Sequence, residues 1–234
     1  MHILGLIPAR GGSKGIPGKN TVLLHGKPLL FYTTEAAKGS KRLTRIIVST
    51  DDKDIAETAR TKGIEVPFLR PSSLAADDTP MVDVAAHALL ELARVEEYSP
   101  DVLVLLQSTS PLRSSSHIDA AITLLLESNA DTVVSVTEVP HQFSPSSLMK
   151  LQDGKLLFMT KSPPVLQRQS KEIVYARNGP AILVTRVSLL REKKSLYGER
   201  ISPFLMDRES SVDIDDTADL AYAEFLLERR AGKP

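Results

Sequence analysis

The segment HILGLIP (2–8) leads directly into ARGGSKGIPGKN (9–20), and this junction decides how the chain is interpreted. The first part is an apolar run that is typical of a strand covered on both faces. The second part holds four glycines and three cations, namely Arg10, Lys14 and Lys19. Glycines let backbone N–H groups approach an anion closely, and the cations add positive charge. We therefore predict an anion-binding loop at the carboxyl end of the first strand.

This loop differs from two common nucleotide-binding patterns. A Walker A loop reads G-x-x-x-x-G-K-[ST], whereas five residues separate Gly12 from Gly18 here, and Asn20 stands at the Ser/Thr position. The dinucleotide pattern G-x-G-x-x-G is also missing, which argues against a Rossmann oxidoreductase. A solvated, flexible connection between a strand and a helix is the structural alternative for this loop.

The bulk composition excludes several classes of protein. The 234 residues are 42% hydrophobic, and Lys+Arg and Asp+Glu both number 29, so no net charge attracts nucleic acid or an anionic membrane. The absence of cysteine excludes disulfides and thiolate chemistry. The apolar runs are too short for a membrane-spanning helix or a signal peptide. We expect a soluble, cytoplasmic protein without nucleic-acid or membrane partners.

Strand-like runs alternate with amphipathic helical segments along most of the chain. The predicted strands are 2–8, 45–51, 65–69, 101–107, 131–139 and 180–186, and the predicted helices are 28–40, 51–63, 81–95, 116–128 and 216–230. This alternation predicts an α/β fold with a three-layer, doubly wound, mostly parallel Rossmann-like sheet. Such sheets bind ligands beyond the carboxyl ends of their strands, where 8–20, 50–52 and 107–113 would lie. The rhythm breaks at 140–177, which we interpret as a β-rich segment with a hairpin turning at Asp153-Gly154, outside a core of 1–139 and 178–234.

The loop ARGGSKGIPGKN closely resembles the signature of the CMP-sialic acid synthetase (acylneuraminate cytidylyltransferase) family, which transfers CMP from CTP to a nonulosonic acid. Further matching segments follow in the family's order: IIVSTDD (46–52), LRPSSLAADDTP (69–80), LLQSTSPLR (105–113), RQ (168–169), NG (178–179) and DIDD (213–216). The resemblance therefore covers nearly the whole chain. It implies a fold of the nucleotide-diphospho-sugar transferase type and a homodimer, in which the segment 140–177 is a dimerisation arm that reaches the partner's sugar site.

The resemblance also implies roles for individual residues. It places CTP against Ala9, Arg10, Gly11, Gly12, Ser13, Lys14, Lys19, Asn20 and Arg70. It places the acceptor sugar against Gln107, Thr109, Ser110, Arg168, Gln169, Arg177 and Asn178. Arg10, Lys19 and Asp215 would be catalytic, and Asp213 and Asp215 would hold Mg²⁺, a cation that prefers carboxylate and phosphate oxygens.

Several of these residues also have structural interpretations. In VDIDDTADL, Asp213 and Asp215 alternate and so face one side of an extended segment, but Asp215 or Asp216 could instead cap the last helix, and Asp213 could orient Arg10. We assign the cap to Asp216. Asp51 and Asp52 are either a second metal pair or, as we prefer, helix caps. Gln107, Thr109 and Ser110 could simply form a turn, and Arg113 could be a surface residue.

Two departures from the family pattern fall in the sugar-selecting region. Sialic acid enzymes commonly read R-P-N-G where this chain has Ala176-Arg177-Asn178-Gly179, and Pro145 stands about where they carry a lysine. A shift of one residue in a strand moves a side chain to the other face. The acceptor therefore stays open among sialic, legionaminic, pseudaminic and other keto-sugar acids. Two rival functions are a 3-deoxy-manno-octulosonate cytidylyltransferase and a non-catalytic nucleotide-binding protein of the same fold.

Overall fold

The computed structural model describes residues 1–160, 165 and 167–232. Its helices and strands in chain order are β1 (Ile3–Pro8), β2 (Leu23–Leu24), β3 (Lys27–Pro28), α1 (Leu29–Lys38), β4 (Arg45–Ser49), α2 (Lys53–Thr61), α3 (Met81–Glu96), β5 (Val102–Leu105), α4 (Ser115–Glu127), β6 (Thr132–Glu138), β7 (Met149–Gln152), β8 (Lys155–Phe158), β9 (Tyr175–Arg177), β10 (Leu183–Arg186), α5 (Val187–Lys193), β11 (Ile201–Leu205) and α6 (Thr217–Ala231). Short 3₁₀ turns occur at Ser72–Leu74, His141–Phe143, Pro145–Ser147 and Arg168–Ser170. Within the described ranges, no helix is long and apolar enough to cross a membrane.

A seven-stranded sheet forms the centre of the molecule, with the order β11-β6-β10-β5-β1-β4 and with β9 paired to β6. Strands β4, β1 and β5 are mutually parallel, as are β6 and β11. Strand β10 lies antiparallel between β5 and β6. The carboxyl ends of β1, β4 and β5 therefore meet at one edge of the sheet, where the sequence predicted the ligand.

Helices cover both faces of this sheet, which confirms the predicted three layers. Side chains of α1, α2 and α4, such as Leu30 and Ile118, pack on one face. Side chains of α3 and α5, such as Leu92 and Leu190, pack on the other. Because both faces are covered, the central strands are apolar almost throughout, and β5 is buried at all four positions. A third cluster joins α6 to the loop after β1 through Ile16, Leu24 and other buried residues.

The sequence-based prediction missed helix α5 and the short strands β2, β3 and β9, and it differs from the structure at two further places. Residues 65–69 form only single bridges, Glu65 to Ile47 and Leu69 to Thr50, rather than a strand. Pro67 lies between them and has no N–H to donate, so a continuous ladder cannot form there. Strand β11, which the sequence analysis missed, lies beside β6 with its residues alternately exposed and half-buried, and Pro203 in its middle obscures the strand pattern.

The segment 140–177 carries the predicted hairpin. Strands β7 and β8 pair as an antiparallel ribbon, and Asp153 and Gly154 turn with φ of 51° and 73°. Two positive φ values match the hairpin turns that suit the twist of a β-ribbon. Every residue of β7 and β8 is exposed. Strand β9, also in this segment, pairs with β6, whereas residues 161–164 and 166 of the proposed arm lie outside the described residues.

Candidate active site

The loop after β1 is fixed by hydrogen bonds at both of its ends. The Gly11 N–H donates to Asp51 Oδ1 at 3.1 Å. Farther along, Asn20 Nδ2 donates to the carbonyl of Arg10 at 2.9 Å, and Asn20 Oδ1 accepts from Ser108 Oγ at 2.6 Å. Asn20 is buried, so it joins the loop to the residues that follow β5. These bonds disfavour the alternative of a flexible connection.

The second half of the loop docks on the segment that precedes α6. Lys19 has a side chain only 13% exposed, its Nζ donates to the carbonyl of Ile214 at 2.8 Å, and it lies 3.5 Å from Asp215 Oδ1. Gly15 packs so closely on the Asp215 carbonyl that a Cβ would overlap it. A glycine is therefore needed where the two backbones meet.

The DIDD segment separates into one aspartate that caps α6 and two, Asp213 and Asp215, that do not. Asp216 accepts from the N–H groups of Ala218 and Asp219 at 2.8 and 3.0 Å, so it is the N-cap of α6, as predicted. The flanking Ile214 is buried, and the side chain of Asp215 is 83% exposed. The capping alternative therefore does not apply to Asp215.

The carboxylate of Asp213 is held in an unfavourable environment for its negative charge. Burial, and then the nearby charge of Asp215, raise its pKa, and its Oδ1 has no hydrogen-bond partner among the described residues. An orphaned buried carboxylate oxygen fits a cation ligand. No group of three acidic or histidine side chains gathers as a metal site in the part of the chain that is described. Two carboxylates completed by phosphate oxygens and water are a sufficient set for Mg²⁺.

Asp51 and Asp52 are both engaged by protein groups. Asp52 caps α2 by accepting from the N–H groups of Asp54 and Ile55. Asp51 accepts from Gly11 and lies 3.7 Å from the guanidinium of Arg70, whose side chain is 3% exposed. Burial lowers the pKa of Arg70, and the Asp51 charge opposes that effect. Asp52 is therefore a helix cap as predicted, whereas the predicted cap is wrong for Asp51, which anchors Gly11 and Arg70 instead. Both contacts disfavour a second metal pair.

Arg10 and Lys14 share a partner that the sequence analysis missed. Arg10 NH2 lies 2.5 Å from Asp77 Oδ1, and Lys14 Nζ lies 2.6 Å from Asp77 Oδ2. The suggestion that Asp213 orients Arg10 is therefore wrong, because Arg10 pairs with Asp77. Asp77 belongs to LRPSSLAADDTP, a segment already singled out, but nothing in the sequence indicates which of its two aspartates meets the loop.

Among the residues predicted to bind sugar, two lie at the mouth of the site and two are buried in the protein. Gln107 donates from Nε2 to the Gly179 carbonyl at 3.2 Å and, like Thr109, lines the cavity described below. Ser110 is fully buried. Asn178 is also buried, because its Oδ1 accepts from Ser135 Oγ and its Nδ2 donates to Ser211 Oγ.

Three further predicted residues lie on the 140–177 side. Arg177 pairs with Val136 of β6, and its guanidinium donates to the Tyr197 hydroxyl at 2.9 Å. Gln169 is exposed. The prediction for Arg168 concerns a side chain outside the described part of the structure. Sugar binding by these residues stays a prediction.

Arg113 is not the surface residue that one interpretation allowed. Its guanidinium is fully buried and donates to the Ala181 carbonyl and to Thr33 Oγ1, both at 2.6 Å, and to the Gln107 carbonyl at 3.1 Å. Burial lowers its pKa to about 9. It therefore ties the end of β5 to the residues before β10 and to α1.

A cavity of about 260 Å³ collects most of the predicted nucleotide residues. Its predicted lining residues are Arg10, Ser13, Lys19, Asn20, Arg70, Gln107, Thr109 and Asp215. Others that line it were missed, including Asp77, Thr79, Met81, Val84 and Ser108. Ala9, Gly11, Gly12 and Lys14 belong to the same loop without lining the cavity. The arrangement places cations, hydrogen-bonding groups and two carboxylates around one space at the carboxyl edge of the sheet.

Comparison with known proteins shows which family the chain belongs to. Residues 4–231 match the cytidylyltransferase family. The chain is 37% identical over 230 residues to a CMP-N,N'-diacetyllegionaminic acid synthase of Legionella pneumophila, covering 97% of each chain. It is 33% identical to an N-acylneuraminate cytidylyltransferase of Escherichia coli O18:K1:H7, covering 97% of this chain and 52% of that protein.

A solved structure shows the same fold. This is a CMP:2-keto-3-deoxy-manno-octonic acid synthetase complexed with CTP, with a TM-score of 0.72 and 16% identity, covering 98% of this chain and all of that one. The fold and the family expected from the sequence are thereby confirmed. The chain belongs to the cytidylyltransferase family.

Proposed function

We propose that this enzyme transfers CMP from CTP to the anomeric hydroxyl of a nonulosonic acid and releases pyrophosphate. The observation that carries the proposal is the cavity in which the glycine loop meets the DIDD segment and the end of β5. Its walls carry Arg10 and Lys19 together with the carboxylate of Asp215, which is the combination that a nucleoside triphosphate with a divalent cation requires. The names of the relatives support the choice of donor and the class of acceptor.

The cations of the loop would act on the triphosphate. In this transfer, a bond forms between the sugar oxygen and the α-phosphorus while the bond from that phosphorus to the bridging oxygen of pyrophosphate breaks. Such reactions need mainly positioning and neutralisation of charge. Arg10 and Lys14 would hold the leaving phosphates. Lys19, held against the Ile214 carbonyl, still has a donor to direct at the negative charge that develops on the leaving group.

Two buried residues would position the nucleotide. Asn20 uses its amide to hold the Arg10 backbone and Ser108, so its contribution would be to fix the loop beside the base and ribose. Arg70, anchored beside Asp51, presents a buried positive charge at the same wall. A charge-assisted hydrogen bond from such a guanidinium is about twice as strong as a neutral one.

Asp213 and Asp215 would hold Mg²⁺. The Oδ1 of Asp213, which has no hydrogen-bond partner within the described ranges, and the exposed carboxylate of Asp215 fit a hard cation that also takes phosphate oxygens. When bound, the ion would polarise the α-phosphate and assist loss of the proton from the attacking hydroxyl. Asp216 is separate from this set because it caps α6.

We propose a legionaminic-type acid as the acceptor. Gln107 and Thr109 line the cavity and would contact the sugar. Arg177 faces Tyr197, and Pro145 stands where sialic acid enzymes carry a lysine, so two positions of the sugar region depart from that type. The legionaminic relative is 37% identical to this chain, and the neuraminate relative is 33% identical.

We also propose a homodimer formed through the hairpin β7–β8. Leu151 and Leu156, which face each other across the hairpin, are 73% and 63% exposed. Met149, Phe158 and Met159 are also exposed nearby. Neighbouring exposed apolar side chains of this kind mark association surfaces in soluble proteins. A second copy would bury them and bring its arm toward the acceptor side.

The test is pyrophosphate release by the purified protein with CTP and Mg²⁺ against a panel of legionaminic, pseudaminic, neuraminic and 3-deoxy-manno-octulosonic acids. We expect release with CTP but not with ATP, GTP or UTP, and fastest with the legionaminic acid. Preference for another nonulosonic acid would overturn the choice of acceptor alone. CTP binding without release for any acid would favour the non-catalytic alternative.

A further inference from the structure

Asp77 contacts the outer cations of the loop, Arg10 and Lys14. Its two carboxylate oxygens contact different cations, Oδ1 with Arg10 at 2.5 Å and Oδ2 with Lys14 at 2.6 Å. Hydrogen bonds from Lys14 and then Arg10 lower the pKa of Asp77, so the carboxylate stays ionised at neutral pH. A carboxylate that bridges two cations has the charge and the spacing of acceptors that a phosphate group would offer the same pair.

The loop that carries Asp77 is attached lightly to the rest of the protein. Residues 75–80, between the turn at Ser72–Leu74 and α3, are exposed or half-exposed. Arg10 NH1 also lies 3.5 Å from the Ala75 carbonyl, which is at the limit of a hydrogen bond. Because the lining of the cavity includes both Asp77 and Arg10, the carboxylate stands within the space proposed for the triphosphate.

We propose that Asp77 is an internal anion that competes with the β- and γ-phosphates for Arg10 and Lys14, and that it thereby sets the affinity of the enzyme for CTP and for pyrophosphate. This inference rests on the proposed role of the loop cations in holding the triphosphate. CTP would displace the carboxylate on binding. After transfer, Asp77 would return to the cations and oppose retention of pyrophosphate, so that the product leaves more readily.

The competition acts only on ligands that need both outer cations. CTP and pyrophosphate need them, whereas CMP lacks the β- and γ-phosphates. Exposed ion pairs are weak individually, so Asp77 adjusts affinity without preventing binding. Loss of the two pairs, together with loss of a negative charge beside the phosphates, should tighten CTP and pyrophosphate about three- to tenfold.

The decisive experiment compares Asp77→Asn with Asp78→Asn by calorimetry, using CTP, pyrophosphate and CMP at a fixed Mg²⁺ concentration without acceptor. Asp78 is the exposed neighbour, so its substitution changes the net charge equally. For Asp77→Asn we expect tighter CTP and pyrophosphate with CMP unchanged, and stronger inhibition of turnover by pyrophosphate. For Asp78→Asn we expect a smaller change that is similar for all three ligands.

Lys14→Ala separates this inference from the proposed function. If Lys14→Ala weakens CTP and pyrophosphate, and Asp77→Asn tightens them by a smaller factor in that background because only the Arg10 pair is left to release, both proposals hold. If Lys14→Ala weakens them but Asp77→Asn alone leaves them unchanged or weaker, the competition is overturned and the triphosphate site stands. If Lys14→Ala and Arg10→Ala leave both affinities unchanged, the assignment of the triphosphate cations fails, and the inference fails with it.

Discussion

The nucleotide side of the molecule and the hairpin β7–β8 are built in opposite ways. Three side chains around the cavity are mostly buried and held by other protein groups. Lys19 donates to the Ile214 carbonyl, Asn20 donates to the Arg10 carbonyl, and Arg70 lies beside Asp51. In the hairpin, every residue is exposed, including large apolar ones such as Leu151. One chain is therefore sufficient to set the nucleotide groups in place, whereas the hairpin presents an exposed apolar surface. The nucleotide site therefore depends on the fold of one chain, whereas we propose that the hairpin acts through assembly.

The largest effect should follow from Lys19→Ala, which tests the nucleotide side. Loss of the ammonium removes charge stabilisation of the leaving group, so kcat/KM should fall about 10²–10³-fold. Pyrophosphate release measures the rate, and circular dichroism checks that the fold is retained. Lys41→Ala, on an exposed lysine outside the site, is the matched control and should keep its activity. Activity near the wild-type level in Lys19→Ala would remove the lysine from the reaction.

Substitutions of the neighbouring Asp215 and Asp216 test whether the first binds the metal and the second caps α6. Asp215→Ala should lower the Mg²⁺-dependent rate about 100-fold, because one of the two proposed ligands is lost, while the ligand-free melting temperature stays near that of the wild type. Asp216→Ala should lower the melting temperature by about 2–4 °C, because α6 loses its N-cap, and should keep its response to Mg²⁺. Both are measured by titrating Mg²⁺ and by thermal melts. The reverse assignment of effects would return Asp215 to a structural role.

The hairpin is tested by Leu151→Lys combined with Leu156→Glu. The two positions face each other, so opposite charges keep the ribbon paired while the apolar surface is removed. We expect a monomer by light scattering and about a tenfold higher KM for the acceptor, as for the loss of one or two good contacts. Leu90→Lys, on the exposed face of α3, is the control and should stay dimeric. A dimer that persists with unchanged KM would refute the proposed interface.

The smallest expected effect concerns the stability of the ligand-free protein. Burial, and then Asp215, raise the pKa of Asp213, so the folded state holds this proton more tightly than the unfolded state. Stability should therefore fall as pH rises from the ordinary aspartate pKa through the raised value. Asp213→Asn removes that loss and should melt about 2 °C higher than the wild type at pH 7 without Mg²⁺. The gap should close below pH of about 4; a gap that is constant with pH would contradict the cause.

The sequence was sufficient to predict the layers of the fold and the family, because both depend on local patterns of residues along the chain. The alternation of apolar runs with periodic helices predicted the central sheet, and glycine with lysine at fixed spacing predicted the loop. Two prolines stand where the strand assignments are wrong. A strand was predicted around Pro67, but only single bridges form there. No strand was predicted around Pro203, but β11 forms there and pairs with β6.

Partners between distant side chains were beyond the reach of sequence reasoning. Asp77 lies more than sixty positions from Arg10 and Lys14, and its contact depends on the path of the loop before α3. The burial of the Arg113 guanidinium could not be predicted either, because an arginine beside a Ser-Pro turn usually lies on the surface. Asn178 kept its place in the family motif, but only the structure shows that its amide is enclosed by Ser135 and Ser211.

The most direct test of the contrast between the two regions is calorimetric binding of CTP with Mg²⁺ to the monomeric Leu151→Lys, Leu156→Glu variant. If one chain is sufficient for the nucleotide site, the CTP dissociation constant should stay within about twofold of the wild-type value, because neither leucine lines the cavity. The acceptor KM should rise in the same preparation. Loss of CTP affinity together with the dimer would contradict the account, since it would mean that the nucleotide site also depends on assembly.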